Sequence, residues 1–190
     1  MIIETQSQAV LFVDGPNMSM MCGEVLGGKP NSSEWPRWNR VLDNLEHYYR
    51  VDFDAHYVLN GNRIGDRDWP FCRCLRQFRY WPDAPKGFPP GGDGDPVDDF
   101  IRRGIDRLSA KMCACANHVV IVAHDGGYAP HLQRLLDRGG KVTIVGFREK
   151  LAEELIGLEI SGGEFLDIEH DLGAFDYRLD RPYSPDRLAS

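Results

Sequence analysis

Two stretches of the chain are apolar at every position, Ala9-Val10-Leu11-Phe12-Val13 and Val119-Val120-Ile121-Val122-Ala123, the second preceded by His118. Each is rich in β-branched residues and stops at an Asp-containing, Gly-rich turn, as a strand buried on both faces does. Both are therefore read as central strands. Val51 to Leu59 puts Val51, Phe53, Ala55, Tyr57 and Leu59 on one face, and Lys141 to Phe147 is a second short run of the same type. Arg79-Tyr80-Trp81 and Glu164 to Ile168 are weaker strand candidates.

Helical spacing fills the gaps. Trp35, Trp38, Val41, Leu42, Leu45, Tyr48 and Tyr49 recur every three or four residues, with Ser33 as the expected N-cap and Pro36 inside the first turn. A second helix is predicted from Asp95-Pro96 through Leu108, a third over Tyr128 to Asp137 ahead of Gly139-Gly140, and a fourth over Glu149 to Leu158. Alternating strands and helices imply parallel pairing through right-handed crossovers, hence an α/β fold with three α/β/α layers and a mainly parallel central sheet. One domain over residues 1–168 is expected. Residues 169–190 show little periodicity and read as an acidic C-terminal arm or tail.

Composition changes this picture in three places. The 190 residues carry a net charge of −7, but residues 1–150 hold nineteen basic against nineteen acidic side chains, and residues 151–190 hold three against ten. The body is thus neutral, and a polyanionic partner must be judged surface by surface. Five cysteines (Cys22, Cys72, Cys74, Cys113 and Cys115), with no cationic and apolar leader pattern at the start, fit free thiols in a reducing compartment and a cytoplasmic location. The Cys-x-Cys spacing is shorter than the usual structural zinc loop. No apolar run approaches the roughly 20 residues a membrane span needs, so no membrane partner is expected.

In an open parallel sheet, ligands bind beyond the carboxyl ends of the strands, where the strand order reverses. The first central strand leads into Asp14-Gly15-Pro16-Asn17, the second into His124-Asp125-Gly126-Gly127-Tyr128. A third acidic segment, Gly91-Gly92-Asp93-Gly94-Asp95-Pro96-Val97-Asp98-Asp99, opens a helix with Asp95 as the expected N-cap. At about 100° per residue, Asp98 lies about 65° from the centre of the stripe Val97, Ile101, Ile105 and Leu108, and Asp99 about 165° away. Asp98 can therefore look inward, while Asp99 faces water. Three carboxylates gathered from distant segments repel one another unless a cation neutralises them, and hard oxygen ligands suit Mg²⁺ or Mn²⁺. The same turns also serve purely as turns and helix caps.

The set Val10 to Asn17, Val97-Asp98, and Val119 to Tyr128 followed by Pro130 resembles the NYN family of PIN-like nucleases, in the family's order and over roughly residues 8–168. This resemblance implies a PIN-like fold and divalent-metal-dependent cleavage of RNA. It puts Asp14, Asn17, Asp98 and Asp125 at the catalytic positions, with Asp14, Asp98 and Asp125 as ligands of Mg²⁺ or Mn²⁺. The chain departs from the family at Ala123-His124-Asp125-Gly126-Gly127-Tyr128, where members commonly show Ser-Gly-Asp-x-Asp-Phe. The serine and the second aspartate are missing, leaving acids enough for one ion, while His124 becomes a candidate phosphate contact. Asp93, Asp95 and Asp99 stay open as alternatives to Asp98.

Residues 63–86 interleave Arg63, Arg67, Arg73, Arg76, Arg79 and Lys86 with Trp69, Phe71, Phe78, Tyr80 and Trp81. Arginine beside aromatic rings is the chemistry of phosphate contact and base stacking, so Arg73, Arg76, Arg79 and Trp81 join His124 as candidate RNA contacts. A solvated charged face over core aromatics accounts for the same pattern. The expected function is a metal-dependent endoribonuclease acting on RNA, with a catalytically impaired RNA-binding or interaction module as the rival. A nucleotide-binding enzyme or phosphatase is disfavoured, because no Asp-x-Asp follows the first strand and no Gly-x-Gly-x-x-Gly or Gly-Lys-Ser/Thr loop occurs. Homodimer formation and an inhibitory protein partner are left open.

Overall fold

The computed structural model describes residues 8–59, 79–81, 95–111 and 116–181. Its centre is a six-stranded sheet, β1 (Ala9–Asp14), β2 (Asp54–Val58), β3 (Arg79–Trp81), β4 (His118–Val122), β5 (Lys141–Gly146) and β6 (Glu164–Asp167). The strands lie in the order β3-β2-β1-β4-β5-β6, and every neighbouring pair is parallel. All six strands coincide with predicted runs: β2, β4, β5 and β6 are shorter by a residue or more, β3 matches, and β1 runs one residue further, to Asp14. Among the described residues no helix is long and apolar enough to cross a membrane.

Because side chains alternate across a strand, β1 feeds two separate cores. Leu11 and Val13 point to one face with α1 (Gly15–Leu26) and α2 (Trp38–Tyr49); Val10 and Phe12 point to the other with α3 (Pro96–Ser109), α4 (Ala129–Asp137) and α5 (Glu153–Ile160). Burial of each such side chain is worth about 1.5–3 kcal/mol. The result is a sheet sandwiched between two layers. The order reverses between β1 and β4, so the crevice that an open sheet offers to ligands lies at the carboxyl ends of these two strands.

Helix α1 was not expected, since Asp14-Gly15-Pro16-Asn17 reads as a turn. The same residues start a helix: Asp14 Oδ1 accepts from the Asn17 backbone N–H at 3.0 Å, and proline is tolerated in a first turn that has no intrahelical acceptor to lose. Gly15 is required by close approach. A β-carbon there would lie 2.5 Å from Leu59 Cδ2 and 2.8 Å from the Val58 carbonyl oxygen, and the backbone cannot yield. Gly15→Ala is expected to cost about 1–3 kcal/mol of stability in a denaturant titration; a loss below about 0.5 kcal/mol, the scatter of harmless surface changes, would contradict this packing.

Three further expectations are corrected. Helix α2 starts at Trp38, and Ser33 instead bonds Asn31 Oδ1 and the Tyr177 hydroxyl. Glu149 to Leu158 splits into a short 3-10 turn, Arg148–Lys150, and α5. Most consequentially, residues 169–181 are not a free arm. Leu172, Ala174, Phe175 and Leu179 are buried in the core beneath α1 and α2. The Ala174 carbonyl accepts the Arg37 N–H at 2.7 Å, Asp176 pairs with Arg37 and Arg40, and Arg181 pairs with Glu149 and Glu169. Two helices cannot cover six strands, and this segment completes that layer over Val145 and Leu166.

Candidate functional site, an acidic cluster at the strand switch

The crevice between β1 and β4 gathers acids from three segments. Asp14, the last residue of β1, is only 3% exposed and caps α1. Asp98 stands in the first turn of α3, which Asp95 caps through the Val97 N–H at 2.9 Å. Asp125 follows β4 and caps the 3-10 turn Gly126–Tyr128 by accepting the Gly127 N–H at 2.8 Å. The inward acid of the Asp98-Asp99 pair is Asp98, as the helical wheel requires.

Tyr128 joins the cluster without having been anticipated there. Its buried hydroxyl stands 2.7 Å from Asp14 Oδ2 and 2.8 Å from Asp98 Oδ1. A phenol has one proton and donates it once, so one of the two carboxylates must carry its own proton or be neutralised by a cation. Burial, reinforced by the charges of Asp98 and Asp95, pushes the Asp14 carboxyl up to about 7 despite the opposing Asn17 and Tyr128 hydrogen bonds. Burial also raises Asp98, with Asp125 and Asp95 repelling its charge while Tyr128 and Arg102 favour it. Burial and both carboxylates keep the Tyr128 phenol protonated.

Arg102 is the second unanticipated member. It lies one turn beyond Asp98 on α3, with Nη2 3.2 Å from Asp98 Oδ2 and the guanidinium carbon 5.7 Å from the centre of the Tyr128 ring. A β-carbon on Gly127 would fall inside contact distance of Arg102 Nη2 and 3.2 Å from Asp125 Oδ1. A side chain at this position would therefore need the flexible end of Arg102 to shift. The signal that could have revealed Arg102 is its i,i+4 spacing from Asp98.

Asn17 and His124 have other tasks than those expected. Asn17 Oδ1 accepts the His124 backbone N–H at 2.9 Å and faces His124 Nδ1 at 3.1 Å, tying the start of α1 to the end of β4. His124 Nε2 accepts the Phe147 N–H at 2.8 Å, so the ring proton sits on Nδ1 and is donated to Asn17. Burial lowers the His124 pKa to about 4 and the ring is neutral. At 3% exposure, with both nitrogens engaged internally, His124 is a tether and not a phosphate contact.

Of the other candidate contacts, Arg73 and Arg76 lie outside the described residues. Arg79 and Trp81 form the ends of β3. Asp14 pairs with Val58 and Val58 with Trp81, which puts Trp81 in the same row of the sheet as Asp14, two strands away or roughly 10 Å at the usual strand spacing. Cys22 is a buried free thiol whose pKa burial pushes up to about 12; Cys72, Cys74, Cys113 and Cys115 lie outside the described residues.

Among the described residues, no group of three or more His, Cys, Asp or Glu is arranged to hold a metal ion. In the cluster, the Tyr128 hydroxyl stands between Asp14 and Asp98, and Asp125 Oδ1 accepts the Gly127 N–H. No family model, no curated protein and no solved structure matches the chain.

Proposed function

We propose that this chain is a PIN-like, NYN-type endoribonuclease that uses a divalent ion, Mg²⁺ or Mn²⁺, held by Asp14, Asp98 and Asp125. The observation that carries the reading is the single Tyr128 proton set between two carboxylates that burial and mutual repulsion push toward protonation. Such a cluster is short of positive charge, and hard oxygen donors at a strand switch suit these ions. When bound, the ion supplies positive charge to a phosphodiester and acidity to nearby water. Hydrolysis joins a water oxygen to phosphorus as the bond to the leaving ribose oxygen breaks and that oxygen takes up a proton.

The chain's own residues do the holding. Asp14 is fixed by the Asn17 amide, Asp125 by the Gly127 amide, and Tyr128 keeps the Asp14 and Asp98 oxygens facing one another. Asn17 and His124 secure the two strand ends from which Asp14 and Asp125 project. RNA would approach over the β3 side, with Arg79 and Trp81 on that strand as candidate cationic and stacking groups. One observation favours the rival reading of an RNA-binding module without catalysis, namely that Arg102 already pairs with Asp98.

Incubation of a single-stranded RNA with Mg²⁺ or Mn²⁺ separates the two. The wild type is expected to cleave and Asp99→Asn to match it. Asp14→Asn is expected to lose more than about 100-fold, since even outer-shell partners of a metal are worth about 10–100-fold. No cleavage by the wild type, or equal cleavage by Asp14→Asn, overturns the nuclease reading; RNA binding of equal strength by both without cleavage establishes the rival.

A further inference from the structure

We infer that residues 169–181 are a latch on the strand switch: Arg181 is the catch, and a column of stacked rings, Phe175, Phe147 and His124, passes its hold to the end of β4. The latch is a matter of packing and is independent of what the crevice binds or cleaves. Phe175 belongs to the latch, Phe147 directly follows β5, and His124 lies just beyond β4. Phe175 and Phe147 have centroids 6.1 Å apart and ring planes inclined by 23°; Phe147 and His124 are 5.7 Å apart at 17°. All three rings are buried.

The catch puts charge where charge is costly. The Arg181 side chain is 17% exposed, and its guanidinium carbon lies 5.4 Å from the centre of the Phe147 ring. It pairs with Glu149, in the turn after β5, and with Glu169, whose side chain is 5% exposed. The second oxygen of Glu169, Oε1, accepts the Leu179 N–H at 2.7 Å, so one carboxylate fastens the latch at two points. A buried ion pair adds little stability over apolar side chains of similar volume, and its best-attested use is to fix one arrangement among several. Arg181 therefore sets the position of the segment more than its stability.

Movement cannot be absorbed along the column. A β-carbon on Gly146 would lie 2.7 Å from His124 Nε2, so the imidazole rests directly against the end of β5. The same nitrogen accepts the Phe147 N–H, while Nδ1 and the backbone N–H of His124 both meet Asn17 Oδ1. The His124 carbonyl accepts the Ala152 N–H at 3.1 Å. A close-packed interior answers a displaced ring by changing arrangement and not by bending. Releasing Phe175 and Arg181 from Phe147 thus frees His124 and loosens its clasp on Asn17, which joins the ends of β1 and β4. Asp125 follows His124 directly, so the latch governs where that carboxylate stands relative to Asp14.

Amide hydrogen exchange of the full chain, read residue by residue by nuclear magnetic resonance, tests the coupling. Arg181→Met combined with Glu169→Gln removes the ion pair without leaving a buried charge, and the glutamine keeps an acceptor for Leu179. The pair is expected to speed exchange at Leu179 and His124 by at least about tenfold, the weight of one charge-assisted hydrogen bond. Val120 and Ile121, in the centre of β4, are expected to keep the wild-type rate. Faster exchange at Leu179 alone shows a latch uncoupled from the strand end and overturns the inference. An equal rise along the whole of β4 is general destabilisation and overturns it as well, and an unchanged Leu179 removes Arg181 as the catch. Phe175→Leu breaks the column with the catch intact and keeps the test decisive should the first pair not fold. It is expected to speed His124 more than Val120 and Ile121; equal rates of increase overturn the column as the route of coupling.

Discussion

Asp14→Asn is expected to make the metal-free protein more stable at pH 8 while abolishing RNA cleavage. The folded chain holds the Asp14 proton to about pH 7, whereas the unfolded chain releases it near its ordinary value of 3.8. A group whose folded pKa is raised contributes stability that is fully present below about pH 4 and lost as the pH rises through 7. At pH 8 the wild type therefore bears the whole cost of a buried charge, at most about 4 kcal/mol for a three-unit gap. Asparagine bears none of it and is as good an N-cap. Its carboxamide oxygen can accept the Asn17 amide and its nitrogen can donate to Tyr128, which then donates to Asp98.

Thermal melts of the two proteins from pH 8 to pH 5 check this. The advantage of Asp14→Asn should shrink steadily with falling pH, and Mn²⁺ should raise the melting temperature of the wild type alone, because a ligand stabilises only the state that binds it. A variant less stable than the wild type at pH 8 would show that Asp14 is retained for the fold. Stability surrendered at one carboxylate is the mark of a residue kept for chemistry.

Phe175→Ala is expected to cost about 3–5 kcal/mol, the range for removing a large ring from a closed core. The ring is 7% exposed and stacks on Phe147 at 6.1 Å between centroids. Phe147 in turn stacks on His124, at 5.7 Å, so this segment supports the strand end from which Asp125 projects. Chemical denaturation measures the loss directly. A change within about 0.5 kcal/mol, as for exposed sites, would restore residues 169–181 to the status of a loose arm.

The two central strands, β1 and β4, were legible because each is a run of apolar or β-branched residues ended by an Asp-containing turn, a local pattern that needs no knowledge of partners, whereas Arg79–Trp81 and Glu164–Asp167 carry that pattern only weakly. The inward turn of Asp98 was legible for a similar reason, since helical geometry relates it to Val97 and Ile101 within one segment. Helix α1 was not. Gly15, Pro16 and Asn17 are turn formers, and only the contact of Gly15 with Val58 and Leu59 shows why the chain prefers them at a helix start. Residues 169–181 lack periodicity because they bury single side chains against α2 and the sheet, in no repeating geometry. Tyr128 escaped because its role depends on Asp14, 114 residues away, meeting its hydroxyl, whereas the Arg102 pairing with Asp98 is local to one helix and its i,i+4 spacing was there to be read. His124 was misjudged for the opposite reason, as its titration range suggested a use that the Asn17 and Phe147 bonds remove.

The central claim is that the carboxylates ending β1, opening α3 and following β4 serve one shared ion. Anomalous diffraction from a crystal soaked in Mn²⁺ addresses it most directly. The account predicts a single strong peak bounded by Asp14, Asp98 and Asp125, with Arg102 still against Gly127. A cluster without any peak while Mn²⁺ is bound elsewhere, or a peak that touches none of the three, would contradict it.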